Sequence, residues 1–201
     1  MITCKELRAR ARYSLDGKIF GKTWLFAILA QLIFGAIMGV SSVVPMGIGT
    51  LVVFGPLTVG IATYYLNMVR DTEEKNNFLS ILFSFKVGKR YLLGVLQALY
   101  LALWSLLFVI PAIVKFFSYA LAPYIMAENP HMSANEAITE SRKMMDGNKA
   151  NLFKLYLSFI GWFILMGVPV IGVAIAIWVM PYVQAAVAEF YEEVKRTHSP
   201  F

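Results

Sequence analysis

Lys115 is the most conspicuous candidate for chemistry in this sequence, because it lies inside an apolar stretch. It follows Pro111 by four residues and stands apart from the other groups of charged residues. An ionisable residue inside an apolar segment marks a functional site by default. Lys115 is therefore a candidate contact for an anionic lipid headgroup or another anion. Its position near the end of the stretch favours the alternative, an anchor whose ammonium reaches the membrane surface.

Three glutamines are the other polar side chains in apolar stretches that could bind a ligand. Gln31, Gln97 and Gln184 lie in three different stretches. Their amides are candidate intramembrane contacts, and they can donate and accept hydrogen bonds between helices. We expect them to hold helices together.

The sequence contains no recognisable catalytic or metal-binding motif. Glu189, Glu192 and Glu193 cluster near the end of the last apolar stretch, where Lys195 and Arg196 can balance them. A solvated helix end explains this cluster. The two histidines lie in loops without metal-type spacing, and the single cysteine cannot form an intramolecular disulfide. We therefore expect no enzymatic activity, no metal and no cofactor.

The composition requires a solvent other than water for much of the surface. Of the 201 residues, 59% are apolar and 15% charged, whereas soluble domains are about 45–50% apolar and about 25% charged. The mean hydropathy is +0.66. The net charge is +6, but the basic residues flank apolar stretches. They predict contacts with a membrane surface and no nucleic-acid binding.

The apolar stretches predict an all-α fold, a polytopic membrane bundle of six helices arranged as three hairpins. Each stretch approaches or exceeds the length that crosses a bilayer core of about 30 Å, and Pro and Gly residues separate the two members of each pair. Basic residues concentrate in the N-terminus, the two long polar segments and the C-terminal tail, so the positive-inside rule places both termini in the cytoplasm. The predicted spans are residues 23–44, 48–69, 91–110, 112–127, 151–166 and 170–190.

The polar segments predict three amphipathic helices at the cytoplasmic surface. Their apolar faces contain Leu7, Ala11 and Leu15 in the first, Phe78, Ile81, Leu82 and Phe85 in the second, and Ala134, Ala137, Ile138, Ser141 and Met145 in the third. Ser133 and Glu136 form a capping box at the start of the third, and Gly147 ends it.

These helices have two alternative partners. They can lie in the interface against anionic lipids of the inner leaflet, or pack on each other or on a membrane or cytoplasmic protein. The lipid alternative is favoured. The candidate inner-leaflet contacts are Lys5, Arg8, Arg12, Lys18, Lys89, Arg90 and Lys149.

The order of these elements suggests an internal repeat. Each amphipathic segment is followed by a small basic turn and a hairpin, and the second helix of each hairpin carries a proline with tyrosines eight to ten residues later. We expect one integral membrane domain over residues 1–201, with units at about 1–70, 71–130 and 131–201 around a pseudo-threefold centre.

Several stretches resemble the bacterial domain-of-unknown-function 975 family. They are residues 54–60 (FGPLTVG), 104–111 (WSLLFVIP), 133–162, 181–182 and 190–192. The resemblance implies a six-helix integral protein of the bacterial cytoplasmic membrane and brings no established activity. A weaker similarity is to the membrane domain of some glycerophosphodiester phosphodiesterases, whose catalytic domain this chain lacks.

The sequence thus predicts a non-enzymatic, multi-pass membrane protein that binds lipid or a membrane partner, with a role in envelope homeostasis. The alternative is a small transporter or lipid carrier with a pathway between the hairpins. That alternative requires polar residues that converge on one cavity.

Overall fold

The computed structural model describes residues 3–17, 21–43, 48–72, 77–107, 109–168 and 171–198. Within these ranges the chain is helical and contains no β-strand, which confirms the predicted all-α class. A short 3₁₀ turn, Ser84–Lys86, follows the fourth helix. The helices are α1 (Cys4–Ser14), α2 (Lys22–Ser42), α3 (Ile48–Val69), α4 (Ser80–Phe83), α5 (Gly88–Leu107), α6 (Val109–Tyr119), α7 (Ala122–Glu128), α8 (Ala134–Met144), α9 (Lys149–Leu157), α10 (Ile160–Met166) and α11 (Ile171–His198).

In the described part of the chain, four helical segments are long and apolar enough to cross a membrane. They are Lys22–Ser42, Gly49–Val69, Ile110–Glu128 and Gly172–His198. A fifth arises if α9 and α10, which meet at a bend of 54°, form one span. The predicted third span corresponds to α5, which is not among these segments and whose first turn carries Lys89 and Arg90.

The chain forms two compact units. The first unit contains Met1–Ile33, Tyr64–Phe78 and Ala150–Phe201, and the second contains Phe34–Thr63 and Leu79–Lys149. In the first unit α1 packs on α11, and α10 packs on the same helix. The predicted apolar face of α1 lies in this contact, as the burial of Leu7, Ala11 and Leu15 shows.

In the second unit, α8 packs against α5, α6 and α7. The predicted apolar face of α8 is likewise buried, from Ala134 to Met145. The structure thus buries these two faces against other helices of the same unit, α11 for α1 and α5, α6 and α7 for α8, an arrangement that was not among the predicted alternatives. Their polar faces remain available to other partners.

Glycines allow α3 to approach its neighbours closely in the second unit. A Cβ atom at Gly55 would overlap the backbone oxygen of Arg90, and one at Gly94 would overlap the backbone of Gly55. A Cβ atom at Gly60 would lie 2.8 Å from the Cα atom of Ile81. Gly35 and Gly39, which stand four residues apart in α2, differ from these glycines, because no neighbouring atom of the described residues lies within 4 Å of either added Cβ.

The break between α6 and α7 is closed by two side chains from other helices. Pro123 has no N–H group, so the carbonyl of Tyr119, four residues earlier, loses its helical donor. Gln97 Nε2 donates to that carbonyl at 3.0 Å. Ser141 Oγ donates to the carbonyl of Ser118 at 2.8 Å and accepts from the backbone N–H of Leu121 at 3.2 Å. The predicted role of Gln97 in holding helices together agrees with this contact.

Helices α1 and α8 begin and end with the same local features. Both have 11 residues, and both begin with a capping box, in which the hydroxyl of Thr3 or Ser133 accepts from the N–H of the glutamate three residues later. Both are followed by a glycine in the left-handed region, Gly17 at φ 64° and Gly147 at φ 74°. The predicted tyrosines of the repeat, at positions 64, 65, 119 and 191, are all buried.

The capping boxes predict a stability that falls in acid. The backbone N–H of Ser133, and then its hydroxyl, donate to the Glu136 carboxylate and lower its pKa. Because the folded pKa is depressed, the stabilisation is fully present above the unfolded value of about 4.3. It is lost as the pH falls through the lower folded pKa.

We therefore expect the thermal midpoint of wild type to fall between pH 5 and pH 3, within roughly one unit of the unfolded value. Glu136→Gln should show a smaller fall, because glutamine has no carboxylate to protonate. Equal pH profiles of the two proteins would contradict the prediction. Glu6, which occupies the same place in α1 and whose pKa is lowered by Thr3, provides the second test.

Candidate functional site

A cavity of about 750 Å³ in the first unit combines basic and aromatic side chains. One side is the basic face of α1, formed by Lys5, Arg8 and Arg12. These residues share a face because they are spaced three and four apart. The contact of α1 with α11 orients this face along the side of α11. We call this space the basic–aromatic cavity.

Four aromatic residues form the aromatic side of the basic–aromatic cavity. Trp24 comes from the start of α2, Trp162 from α10, and Trp178 and Tyr182 from successive turns of α11. The ring centroids of Trp24 and Trp178 are 6.1 Å apart, and those of Trp24 and Tyr182 are 6.4 Å apart. Tyr182 Oη also donates to the carbonyl of Arg8 at 3.1 Å, so the tyrosine joins the two sides.

Arg8 is already bonded within the first unit. Its Nη1 donates to the carbonyl of Ser158 at 3.1 Å, at the bend between α9 and α10, and its guanidinium lies 5.8 Å from the ring centroid of Phe159. The carbonyls at a helix end need donors from outside the helix. Arg8 supplies one of them, so it links the basic–aromatic cavity to the bend.

Arg12 and Lys5 are less constrained. The Arg12 guanidinium lies 5.9 Å from the ring centroid of Tyr182, and both residues are exposed. Neither forms an ion pair with a carboxylate of the described residues, whereas Arg10 on the same helix approaches Glu193 at 3.6 Å. The described lining of the cavity contains no acidic side chain.

Trp24 contributes an unsatisfied donor. Its side chain is only 7% exposed, and its Nε1 has no hydrogen-bond acceptor in the described part of the chain. A buried donor without a partner costs about 1–3 kcal/mol. Ala174, Ile175 and Val179 complete the lining with an aliphatic strip on α11. The cavity therefore combines positive charge with an aromatic and apolar wall, and Trp24 of that wall carries an unsatisfied N–H group.

The other predicted inner-leaflet contacts lie outside this cavity. Lys89 Nζ donates to the carbonyl of His131 at 2.6 Å, and Lys149 Nζ lies 4.0 Å from Asp146. Arg90 is 8% exposed, so its guanidinium is shielded, unlike that of a free surface cation. Lys18 lies outside the described residues.

The predicted intramembrane polar residues are each half-buried or buried within one unit. Lys115 Nζ lies 4.5 Å from the ring centroid of Trp104 in the second unit, in a cation–π contact. Gln31 Nε2 donates to Tyr65 Oη at 3.1 Å in the first unit. Gln184 is half-buried in α11. None of these residues lines the basic–aromatic cavity.

The acidic cluster of α11 differs from the predicted solvated helix end. Glu189 is buried and accepts from Ser14 Oγ at 2.9 Å, because α1 covers this part of α11. Glu192 pairs with Arg70 at 2.6 Å. Glu193 lies 3.6 Å from Arg10. Among the described residues, no group of three His, Cys, Asp or Glu side chains is arranged to hold a metal ion.

The basic side of the cavity was predictable from the sequence, whereas its aromatic side was not among the predicted site residues. The signal for Trp178 and Tyr182 was present, since residues four apart share a helix face. Three of the four tryptophans of the chain line this one cavity. Trp24 carries no such local signal, because it comes from another helix.

These features define an all-helical protein with several apolar helices long enough to cross a membrane and one basic–aromatic cavity. Residues 106–198 match the model of the family described as "Protein of unknown function (DUF975)". The match confirms the predicted resemblance to this family over these residues. The FGPLTVG stretch lies outside the matched region. No curated protein matches the chain, and no solved structure matches it.

Proposed function

We propose that this chain is a non-enzymatic, multi-pass protein of the bacterial cytoplasmic membrane that binds membrane lipid. Six spans form three hairpins, and both termini are cytoplasmic. The observation that carries this proposal is the basic–aromatic cavity beside α11, a helix that is long and apolar enough to cross a bilayer. Tryptophan, tyrosine and basic side chains favour the level of lipid headgroups.

Exposed apolar side chains support the membrane placement. Leu106, Ile110, Ile164 and Val173 are each two thirds or more exposed. In water such a surface is unfavourable, at about 25 cal/mol for each Å² of apolar area. Lipid tails remove this cost.

The third proposed span is α5, which is not among the helices that are long and apolar enough to cross a membrane. Beyond Arg90, the remainder of α5 carries no charged residue. In the proposed arrangement Lys89 and Arg90 lie at the inner surface, and α5 crosses the bilayer from there. The family resemblance supports the same count of spans.

A small transporter or lipid carrier is the second proposal, because two of the apolar segments are broken. One is the short interruption between α6 and α7, and the other is the 54° bend between α9 and α10. Broken helices line the substrate sites of many transporters. At the first break, Gln97 and Ser141 form hydrogen bonds with the free backbone groups. At the second, Arg8, which lines the basic–aromatic cavity, donates to a backbone carbonyl. A lipid carrier would use the bend as its moving part.

Labelling of single cysteines with a membrane-impermeant maleimide tests the membrane topology. Cys4 and Lys143→Cys should react only after the cells are permeabilised, whereas Ser42→Cys should react in intact cells. The engineered cysteines are placed in a Cys4→Ser background, and Cys4→Ser alone is the blank. The positive-inside rule gives these expectations, because residues 4 and 143 lie in basic segments and residue 42 does not.

Two outcomes would contradict the proposal. Labelling of Cys4 in intact cells would reverse the orientation, and release of the chain from membranes by alkaline carbonate would remove the spans. Lipid binding is tested separately by native mass spectrometry from mild detergent. Complete absence of retained phospholipid would refute it, and a co-purifying protein in its place would favour the partner alternative.

A further inference from the structure

The charged, aromatic and aliphatic side chains that line the basic–aromatic cavity indicate the class of its ligand. This step rests on the proposed membrane placement. We infer that the cavity binds one phospholipid whose headgroup has a net negative charge. Its phosphate lies between Lys5 and Arg12, and one of its oxygens accepts from Trp24 Nε1. Its acyl chain follows the aliphatic strip of α11.

The charges of the cavity select an anion. Lys5, Arg8 and Arg12 lie on one helix face, and no carboxylate of the described residues lines the cavity to balance them. Lysine and arginine bind phosphate through charge-assisted hydrogen bonds. The ion pair of Arg10 with Glu193 shows that carboxylates are available on α11, yet none reaches this face. The positive charge is therefore left for a ligand.

A cluster of aromatic rings can instead hold a quaternary ammonium group. Two observations argue against that alternative here. The guanidinium groups of Arg8 and Arg12 already lie over the rings of Phe159 and Tyr182. A choline group would also stand beside three cations, and two like charges 4 Å apart repel by about 1 kcal/mol in water and more in a desolvated site. A zwitterionic lipid is disfavoured for the same reason, since its amine would find no carboxylate in the lining.

The buried N–H of Trp24 is independent evidence for a ligand with acceptor atoms. It has no acceptor among the described residues, although the side chain is more than nine-tenths buried. The Nε1 atom itself is buried, so a phosphate or ester oxygen would reach it after a small shift of the indole ring. The acyl chain of the same lipid would cover the aliphatic strip of α11.

Arg8 acts as a positioning residue in this arrangement. It is bonded to the carbonyl of Ser158 and stacked on Phe159, so it holds α1 at the bend of α9 and α10. Lys5 and Arg12 remain the two cations that can close on the phosphate. Substitution of Lys5 or Arg12 should therefore weaken lipid binding alone, whereas substitution of Arg8 should also alter the bend between α9 and α10.

The test uses the full chain in mild detergent with equal amounts of phosphatidylglycerol and phosphatidylethanolamine of identical acyl chains. Native mass spectrometry should find one phosphatidylglycerol bound with at least tenfold preference. Lys5→Gln combined with Arg12→Gln should lower that preference at least tenfold, and Trp24→Phe should lower phosphatidylglycerol retention about threefold to tenfold. Arg142→Gln is the matched control, because Arg142 stands at the position of α8 that corresponds to Arg12 when the capping boxes are aligned.

The outcomes separate this inference from the proposed function. Equal retention of both lipids, or a preference that the double variant leaves unchanged, would overturn the anionic-lipid site while lipid binding itself survives. Loss of all lipid from wild type would overturn both. Displacement of phosphatidylglycerol by millimolar glycerol 3-phosphate would identify a soluble phosphate compound as the ligand and would overturn the lipid assignment. Unchanged thermal midpoints of the variants confirm that folding is intact.

Discussion

Gly55→Ala should destabilise the second unit by about 3 kcal/mol or more, the largest effect that we expect from a single methyl group in this chain. The added Cβ would overlap the backbone oxygen of Arg90 and approach the backbone N of Gly94 at 2.7 Å. A flexible side chain could move away, but two helix backbones can separate only by losing their contacts. Overpacking of a well-packed core typically costs about 1–3 kcal/mol, and a clash with backbone lies at the upper end.

The measurement is the unfolding curve in mild detergent with increasing sodium dodecyl sulfate. Gly35→Ala is the matched control, because the same methyl group there meets no described atom within 4 Å. It should leave the midpoint unchanged or raise it slightly, since alanine favours the helix over glycine by about 1 kcal/mol. Equal effects at Gly55 and Gly35 would show that α3 and α5 do not cross closely.

The second large effect is expected at Ser141, which is fully buried and bridges the break between α6 and α7. Ser141→Ala leaves the carbonyl of Ser118 without that donor and the N–H of Leu121 without its acceptor. Each unsatisfied buried group costs about 1–3 kcal/mol. Hydrogen bonds between membrane helices average nearer 0.6 kcal/mol, so we expect a loss of about 2 kcal/mol for the pair.

Gln97→Leu should lose about 1 kcal/mol, because only the carbonyl of Tyr119 is left without its donor. Ser105→Ala is the control for both variants, since Ser105 Oγ donates only to the carbonyl of Ala102 in its own helix and is exposed. Its midpoint should stay within about 0.5 kcal/mol of wild type. A loss at Ser105 as large as that at Ser141 would mean that the break does not depend on its bridging side chain.

Helix boundaries were predictable wherever the sequence carried its own stop signals. The predicted span at residues 48–69 coincides with α3, because Pro45 and Gly47 precede the apolar run and Arg70 follows it. The start of α8 was equally readable, since the capping box of Ser133 and Glu136 is a local pattern. The same pattern at Thr3 and Glu6 could have fixed the start of α1.

The second predicted amphipathic helix was longer than the observed one. The spacing of Phe78, Ile81, Leu82 and Phe85 predicts one continuous helix, whereas the chain forms the single turn α4 and then a 3₁₀ turn. Ser80 and Ser84 are buried there, and Gly60 of α3 brings its backbone against Ile81. Packing against α3 therefore determines the local structure here, and the continuous helix that the spacing predicts does not form.

The basic–aromatic cavity could not be assembled from local patterns. Its basic side lies on α1 and much of its aromatic side on α11, and their contact joins residues as far apart as Ser14 and Glu189, 175 positions away. The same contact explains why Glu189 is buried. The sequence alone predicts that a carboxylate near a helix end is solvated, because it does not show that another helix covers the carboxylate.

The pairing of α1 with α11 also constrains the order of biogenesis. At 5–20 residues per second, roughly 10–35 s separate the synthesis of Ser14 from that of Glu189. Throughout that interval the buried face of α1 lacks its partner, and Lys5, Arg8 and Arg12 have only the nascent chain and the membrane surface as neighbours. The basic–aromatic cavity is therefore complete only when α11 has been made. If the cavity binds the proposed lipid, an immature chain cannot compete with the finished protein for it.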